Sequence, residues 1–390
     1  MTGSGVNPMA WPTGTRTRRG AHGWVEARND AFAAGLAGSQ HLGVEEVALA
    51  EALGRVLGDR VTALVDLPGF DASAMDGFAV CGAGPWRVLD GTGSRPGAPY
   101  GRPLPAGCAV PISTGAVVPS GTARVLPIEV CVVVGDYIEA LEVAGRDHIR
   151  RRGSETALGQ LIASPGSRVG AGLLGFAAAS GHDRLVVRRR PTVKILLTGT
   201  EIIDRGTPAA DQVRDAVGPM LAPMVAAAGG LVVSTTHLDD EVTLGLDSEE
   251  VDVVVVVGST SVGVTDRLRH EIRATQRTVD GVHVRPGHPM LLGHIAGRPV
   301  VGLPGNPAAA LVGAHTLLVP LLAGLSSGSL DPLPAIRLAA GRGTRAVPVR
   351  ETSQGWQACP GHSAASLQGI AFATGLAVVG PSGDGVLVRL

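Results

Sequence analysis

Residues 251–270 read VDVVVVVGSTSVGVTDRLRH. The valines from Val253 to Val257 are β-branched and apolar on both faces, the signature of a strand buried inside a parallel sheet. A loop of small residues, 258–263, follows, and from Asp266 the polar run DRLRHEIRA has helical spacing. Strand, small-residue loop and helix together set a ligand over the carboxyl end of a sheet. Gly258 and Gly263 lack a Cβ and let the backbone come close. Loop N–H groups and a helix N-terminus suit an anion. An ordinary strand-to-helix turn would read the same way, so the stretch speaks for a fold class first and for a ligand second.

The same alternation continues on both sides. VKILL (193–197) predicts a strand, TGTE (198–201) a loop, and 216–229 a helix of small residues. LVVSTTHL (231–238) predicts the next strand, followed by Asp239, Asp240 and Glu241. PVVGL (299–303) leads to PGNP (304–307) and an apolar helix, with Asn306 suited to the N-cap and Pro307 to the first helical position. This pattern predicts a doubly wound parallel α/β domain. The loops at Thr198, Gly258 and Pro304 then gather on one edge, with Glu201, Asp239 or Asp240, and Asp266 as neighbours. Carboxylates at such an edge commonly hold Mg²⁺ beside a phosphate.

Before this domain, residues 1–22 lack periodicity and read as a mobile tail. A helical pattern runs from Gly23 through Trp24, Ala27, Ala31 and Ala34. A second helix is predicted from Val44 through Val47, Leu49, Leu53, Val56 and Leu57, stopped by Gly58. Residues 67–80 form a loop in which Asp71 and Asp76 either cap turns or present a carboxylate at a cleft. Short apolar runs between turns over 83–146 suggest a small β-barrel or sandwich, with Thr114 on a loop. IRRRGSE (149–155) is either a solvated charge run or an anion-binding edge. Residues 171–180 read as helix, and 331–390 as a separate all-β end domain.

With 390 residues, 45% hydrophobic and 17% charged, the chain can build a large core in several domains. A formal net charge of −1 gives no reason to expect a nucleic-acid or membrane-surface partner. Lys194 is the only lysine. The 4 cysteines show no metal-binding spacing and suit a reducing cytoplasm. No apolar run follows the arginines near the N-terminus, which argues against a secretory signal. The apolar segment 308–325 contains His315, Thr316 and Pro320 and reads as a buried helix rather than a membrane span.

Taken together, PGFDASAMDGFAV (68–80), STGAVVP (113–119), IRRRG (149–153), TGTE (198–201), SVGVTD (261–266), RPGHP (285–289) and GLPGNP (302–307) resemble the molybdopterin molybdenumtransferase family, MoeA and the gephyrin E domain. The likeness runs from about residue 23 to the end. It implies an elongated helical domain from 23–62 and 147–190, a β module over 63–146, an α/β pterin-binding domain over 191–328 and a β-barrel-like end over 329–390. It implies a cytoplasmic homodimer with each site between subunits, and no nucleic-acid or membrane partner. The family reaction inserts molybdate into adenylylated molybdopterin, with Mg²⁺ assisting and AMP leaving. Carried over by motif, Asp76, Glu201, Asp266, Arg285 and His288 are catalytic candidates, with Glu201, Asp240 and Asp266 at the metal. Thr114, Gly258, Ser261, Gly263, Pro304, Gly305 and Asn306 line the cofactor. Such a site suits cations and backbone donors, because molybdate is a dianion and the substrate carries phosphates.

The departures cluster. Where the family has TGDE, Thr200 stands for the acid, and Ser259 stands for a glycine of GGVSVG. KPGKP has become RPGHP, which puts an arginine fork at 285 and an imidazole at 288. The family's YD(S/T)N segment is RDAVG here, so Ala216 and Val217 replace a hydroxyl and an amide beside Asp215. Two readings follow: a transferase with retuned substrate handling, or a non-catalytic paralogue that binds pterin or nucleotide or acts as a regulatory or scaffold dimer.

Overall fold

The structure is a computed structural model that describes residues 22–91, 93–141, 145–239, 244, 246, 251–258, 267–273, 276–361 and 363–390. The predicted tail through residue 21 lies outside the described residues. So do Asp240, Ser259, Ser261, Gly263 and Asp266. The described chain divides into two compact units, one comprising the residues up to Gly43 together with Arg188–Leu390, the other Val44–Val187.

The larger unit is built on a 6-stranded sheet in the order Leu231–Leu238, Thr192–Thr198, Val253–Val257, Arg298–Leu303, Leu291–Ile295, Arg277–Asp280. The first four strands are parallel, and all five residues of Val253–Val257 are buried. Val253, Val255 and Val257 pack into one cluster, with the helices Trp24–Leu42, Val217–Ala227 and Val319–Leu325. Val254 and Val256 pack on the opposite face, with Leu268 and Ile272. The sheet is therefore covered on both sides.

The strand Leu291–Ile295 corrects the expectation of a wholly parallel sheet. It runs antiparallel to both its neighbours, and it meets Arg298–Leu303 through Ile295 and Arg298, which pair directly across Ala296 and Gly297, whose φ angles are 51° and 80°. A two-residue turn with both φ positive closes a hairpin, whereas a parallel return needs a crossover of roughly a dozen residues.

Helix Trp24–Leu42 lies against the C-terminal half of the long apolar helix so closely that backbones touch. A Cβ on Gly35 would sit 2.1 Å from the Leu321 carbonyl oxygen, and one on Gly324 2.2 Å from that of Phe32. Trp24 Nε1 donates to Thr316 Oγ1 at 2.7 Å, and Thr316 donates to the Val312 carbonyl at 2.6 Å. Thr316 lies in a π turn, Ala314–Leu318, between two α-helical segments. The helix Pro307–Leu325 is long and apolar enough to cross a membrane, yet 83% of its most apolar window is buried inside the fold.

The C-terminal residues form a 5-stranded antiparallel sheet, ordered Ala335–Arg337, Asp384–Arg389, Gly375–Val379, Arg345–Thr352, Gly355–Ala358. Among the described residues its two edge strands do not pair with each other, so the barrel-like end is an open sheet. It is also not separate: Ala346, Leu376, Val378 and Val388 belong to the main α/β core.

In the smaller unit the predicted helix from Val44 is corrected. Val44–Ala48 is a strand paired with Arg184–Arg188, and the helix lasts one turn, Leu49–Ala52. Gly43 and Gly54, with φ of 74° and 77°, break the backbone on either side. The unit is thus mostly short strands rather than an elongated helical piece, with Ala171–Ala179 as its longest helix among the described residues. Its β module is a 6-stranded sheet ordered Arg124–Pro127, Gly77–Val80, Cys108–Ile112, Trp86–Val88, Tyr137–Ala140, Cys131–Val134.

In the larger unit, Gly324→Ala forces the helices apart and should lower stability by roughly 1–3 kcal/mol in urea unfolding. In the smaller unit, Gly172→Ala, which has open space around it on a helix, should hold or raise stability. Burial pulls His315 down from 6.5 to about 4, and Arg28 acts in the same direction. The folded state then binds the proton less readily than the unfolded state between these values. This contribution is intact above pH 6.5 and is lost as pH falls toward 4. Unfolding at pH 7 and pH 4 should show His315→Gln losing roughly 2–3 kcal/mol less than wild type over that span.

Candidate functional site

At the carboxyl edge of the parallel strands, the register sets His237, Leu197, Val257 and Leu303 in one row. The next residues, Leu238, Thr198, Gly258 and Pro304, begin the loops. Thr198 Oγ1 donates to the Val257 carbonyl at 3.0 Å. Gly258 has φ 87°, and a Cβ there would lie 2.4 Å from Thr198 Oγ1. Gly305 approaches the same residue, with its Cβ position 3.7 Å from Gly258 Cα. The three loops therefore gather on one edge, as the alternation predicts, and glycine at 258 is required by both conformation and space.

Glu201 and Thr200 are both exposed on the first of these loops. Asp215, by contrast, is spent on structure. Its Oδ1 accepts the N–H groups of Val217 and Gly218 at 2.9 and 3.0 Å, at the start of helix Val217–Ala227. Its Oδ2 lies 3.2 Å from His237 Nε2, and the carboxylate is only 7% exposed. His237 gave no signal in the sequence, because one imidazole at the end of an apolar strand matches no motif.

Helix Pro307–Gly313 begins at Asn306 as expected, but the Asn306 side chain makes no capping bond. The free N–H groups of Ala308 and Ala309 point instead at the Ala364 carbonyl, at 3.1 and 3.3 Å. A protein oxygen thus occupies the place an anion would take at this helix N-terminus.

The RPGHP turn is stitched to the C-terminal sheet. Arg285 N–H donates to the Thr344 carbonyl at 3.1 Å, and Ala346 N–H donates to the Arg285 carbonyl at 2.9 Å. Arg285 and Arg345 are both among the residues that line a cavity of about 390 Å³. Ser363 and Ser366 add hydroxyls, and Ala308, Val312, Val347 and Ile370 supply apolar wall. Arg345 Nη2 donates to the Ala339 carbonyl at 2.7 Å. His288 is not part of the lining. Its Nδ1–H donates to the Val282 carbonyl at 2.7 Å, and its ring stacks on that of His283 with centroids 6.4 Å apart. Arg345, Ser363 and Ser366 were not legible as site residues, since each stands in a short β-like or loop segment with no recurring pattern.

In the smaller unit Asp76 and Thr114 meet: Asp76 Oδ1 accepts the Thr114 N–H at 2.9 Å, and both residues are exposed. Gly77 follows, and a Cβ there would lie 2.0 Å from the Leu126 carbonyl oxygen. The arginines of the run are paired with acids. Arg151 bridges Asp71 and Asp147, Arg152 Nε contacts Asp66 at 2.6 Å, and Arg150 contacts Glu155 at 3.2 Å. A hydrogen bond from Leu158 N–H, and then Arg152, hold the Asp66 carboxyl below its ordinary range. These pairs tie 147–158 to the loop carrying Asp66 and Asp71, and leave those acids committed to structure.

A parallel sheet with glycine loops at its carboxyl edge, and a cavity lined in part by two arginines, defines an α/β protein with a candidate ligand site at that edge. Residues 26–181 match the pattern described as MoeA N-terminal region (domain I and II), and residues 194–324 match the probable molybdopterin binding domain. Molybdopterin molybdenumtransferase 2 of Mycobacterium tuberculosis is 33% identical over 314 residues, covering 73% of this chain and 76% of that protein. Molybdopterin molybdenumtransferase of Staphylococcus aureus is 27% identical over 309 residues, covering 74% and 73%. Two solved structures of the molybdopterin biosynthesis MoeA protein from Pyrococcus horikoshii align with TM-scores of 0.70 and 0.77. They share 26% and 18% identity, cover 92% and 95% of this chain, and are themselves covered to 98% and 100%. The chain belongs to the molybdopterin molybdenumtransferase family.

Asp215→Ala should cost about 1–2 kcal/mol in urea unfolding, because two helix N–H groups lose their acceptor. Asp215→Asn, which keeps an acceptor oxygen, should recover most of that loss.

Proposed function

We propose that the protein acts in molybdenum cofactor biosynthesis, inserting molybdate into adenylylated molybdopterin with release of AMP. The observation that carries this reading is one cavity lined by Arg285, Arg345, Ser363 and Ser366. A tetrahedral dianion needs donors from several directions, and guanidinium forks supply them in fixed geometry. Beside the cavity, the glycines at 258 and 305 let backbone approach the organic part of the substrate. Glu201, exposed at the same edge, is placed to orient a water or accept its proton. Asp76, fixed on the Thr114 N–H, serves the other half of the site. In a homodimer, that half would come from the second copy. We place the protein in the cytoplasm.

Of the metal ligands carried over by motif, Glu201 is exposed at this edge, and Asp240 and Asp266 lie outside the described residues. Asp215 is committed to a helix N-terminus and His237, and Thr200 offers a hydroxyl in place of an acid. Among the described residues, the one group of acids, histidines and cysteines close enough to share an ion is His22, Glu26 and Asp30, none of them a predicted ligand. Ser261, Gly263, Asp240 and Asp266 complete the proposed lining by motif. His288 remains a candidate through its second ring nitrogen.

The non-catalytic reading is favoured by one observation: His288 and Asp215, both at positions carried over from family motifs, are tied into the fold. Calorimetry with adenylylated molybdopterin, then molybdate, with AMP measured, separates the readings. Molybdate-dependent AMP release supports the transferase, and binding without release supports the alternative. In an active enzyme, Arg285→Ala with Arg345→Ala should raise the molybdate requirement at least about tenfold while affinity for the adenylylated pterin holds. An unchanged molybdate requirement would remove the arginine pair from the mechanism.

A further inference from the structure

Gly77–Val80 and Cys108–Ile112 run antiparallel, with Ala79 opposite Val110 and Val80 opposite Ala109. One step further, Cys81 N–H donates to the Cys108 carbonyl at 3.1 Å, and Gly107 N–H donates to the Cys81 carbonyl at 2.8 Å. Gly107 has φ 71°. This is a glycine bulge, in which two residues, here Gly107 and Cys108, face one partner, Cys81. The faces agree with the register. Ala79, Val110 and Ile112 belong to one apolar cluster, and Cys81 and Cys108 both pack against it. Val80 and Ala109 belong to the cluster on the other face. The two thiols therefore stand opposed on one side of the sheet. Opposed Cα atoms on antiparallel strands are about 4.5–5.5 Å apart, within the roughly 4.4–6.8 Å that a disulfide spans.

Both cysteines are partly exposed. The remaining cysteines differ. Cys359 is buried. Cys131 Sγ donates to the Pro127 carbonyl at 3.3 Å, and burial, with Glu129 beside it, pushes its thiol up. A thiol held in its protonated form is a poor nucleophile.

We propose that Cys81 and Cys108 are a reversible redox site that takes up an intramolecular disulfide from a low-molecular-weight disulfide. One thiolate attacks a sulfur of the oxidant, forming a mixed disulfide and releasing one small thiolate. The second cysteine thiolate then attacks the protein sulfur of that mixed disulfide and releases the other. The two cysteine protons end on the two small thiols, and the oxidant is reduced by two electrons. The crosslink would tie together the strands that lead to Asp76 and Thr114, at the ends remote from those residues.

The test is to incubate the folded, full-length chain with glutathione disulfide and follow it by thiol titration, intact mass and peptide mapping. Two of the 4 thiols should disappear, with a mass loss of two hydrogens. Mapping should join the peptides of Cys81 and Cys108, and dithiothreitol should reverse the change. Cys81→Ser and Cys108→Ser should each stop at a mixed disulfide with glutathione, while Cys131→Ser and Cys359→Ser should crosslink like wild type. Three outcomes would overturn the proposal: no thiol loss in the folded protein, a wild type that stops at the mixed disulfide, or a crosslink through Cys131 or Cys359.

Discussion

The valine strand is shielded on both faces, and that constraint arranges everything else. A strand buried on both sides can carry no chemistry along its length, because any polar side chain there would be left without water or partner. Function is driven to the ends of the strands. The carboxyl ends are where loops of this unit gather, and they gather tightly because Gly258 and Gly305 leave no side chain between them. The same packing sets helix Trp24–Leu42 and the long apolar helix on one face, where two glycines let their backbones touch.

From this core, one short backbone bridge reaches the C-terminal sheet. Arg285 pairs with Thr344 and Ala346, and Ala364 fills the helix N-terminus that begins after PGNP. The C-terminal segment is therefore part of the site rather than an appendage. It contributes Arg345, two serines and the carbonyl that satisfies the helix. The cavity exists because two sheets share one core, with Leu376 belonging both to that core and to the cavity wall.

How much of this was legible in the sequence depended on whether a feature was local. The parallel strands were readable because five valines in a row tolerate few other readings, and the loops after them because small residues and turn formers mark them. The antiparallel pair was not read, since its only local signal is Ala296–Gly297, an inconspicuous pair that adopts positive φ in context. The supposed helix after Val44 failed for the opposite reason. Its apolar spacing was helical, but pairing with Arg184–Arg188 took Val44–Ala48 into a strand. At the site, motif residues such as Gly258, Arg285 and Asp76 could be named from sequence. Arg345, Ser363 and Ser366 could not, because distant segments bring them together and none of those segments has a period of its own. The acids of the arginine run were ambiguous for the same reason: Asp66 and Asp71 find their arginines some 80 residues away.

The substitutions in the site follow a common physical direction. A chain whose single lysine, Lys194, stands on a core strand of the sheet relies on guanidinium groups wherever it needs a cation. An ammonium is a compact charge that can follow a ligand, whereas a guanidinium presents donors in a fixed plane. Replacing a lysine-rich turn by RPGHP thus exchanges adaptability for geometry, and geometry needs a second fixed partner. In the proposed function Arg345 is that partner, and its strand is pinned to Arg285 by the backbone bridge. His288 turns inward instead, stacks on His283 and donates to the Val282 carbonyl. Asp215 follows the same course at the other end of the sheet, where it gives both oxygens to the fold. On the proposed function the departures form one adjustment: His288 and Asp215 serve the fold, and recognition of the anion falls to Arg285 and Arg345.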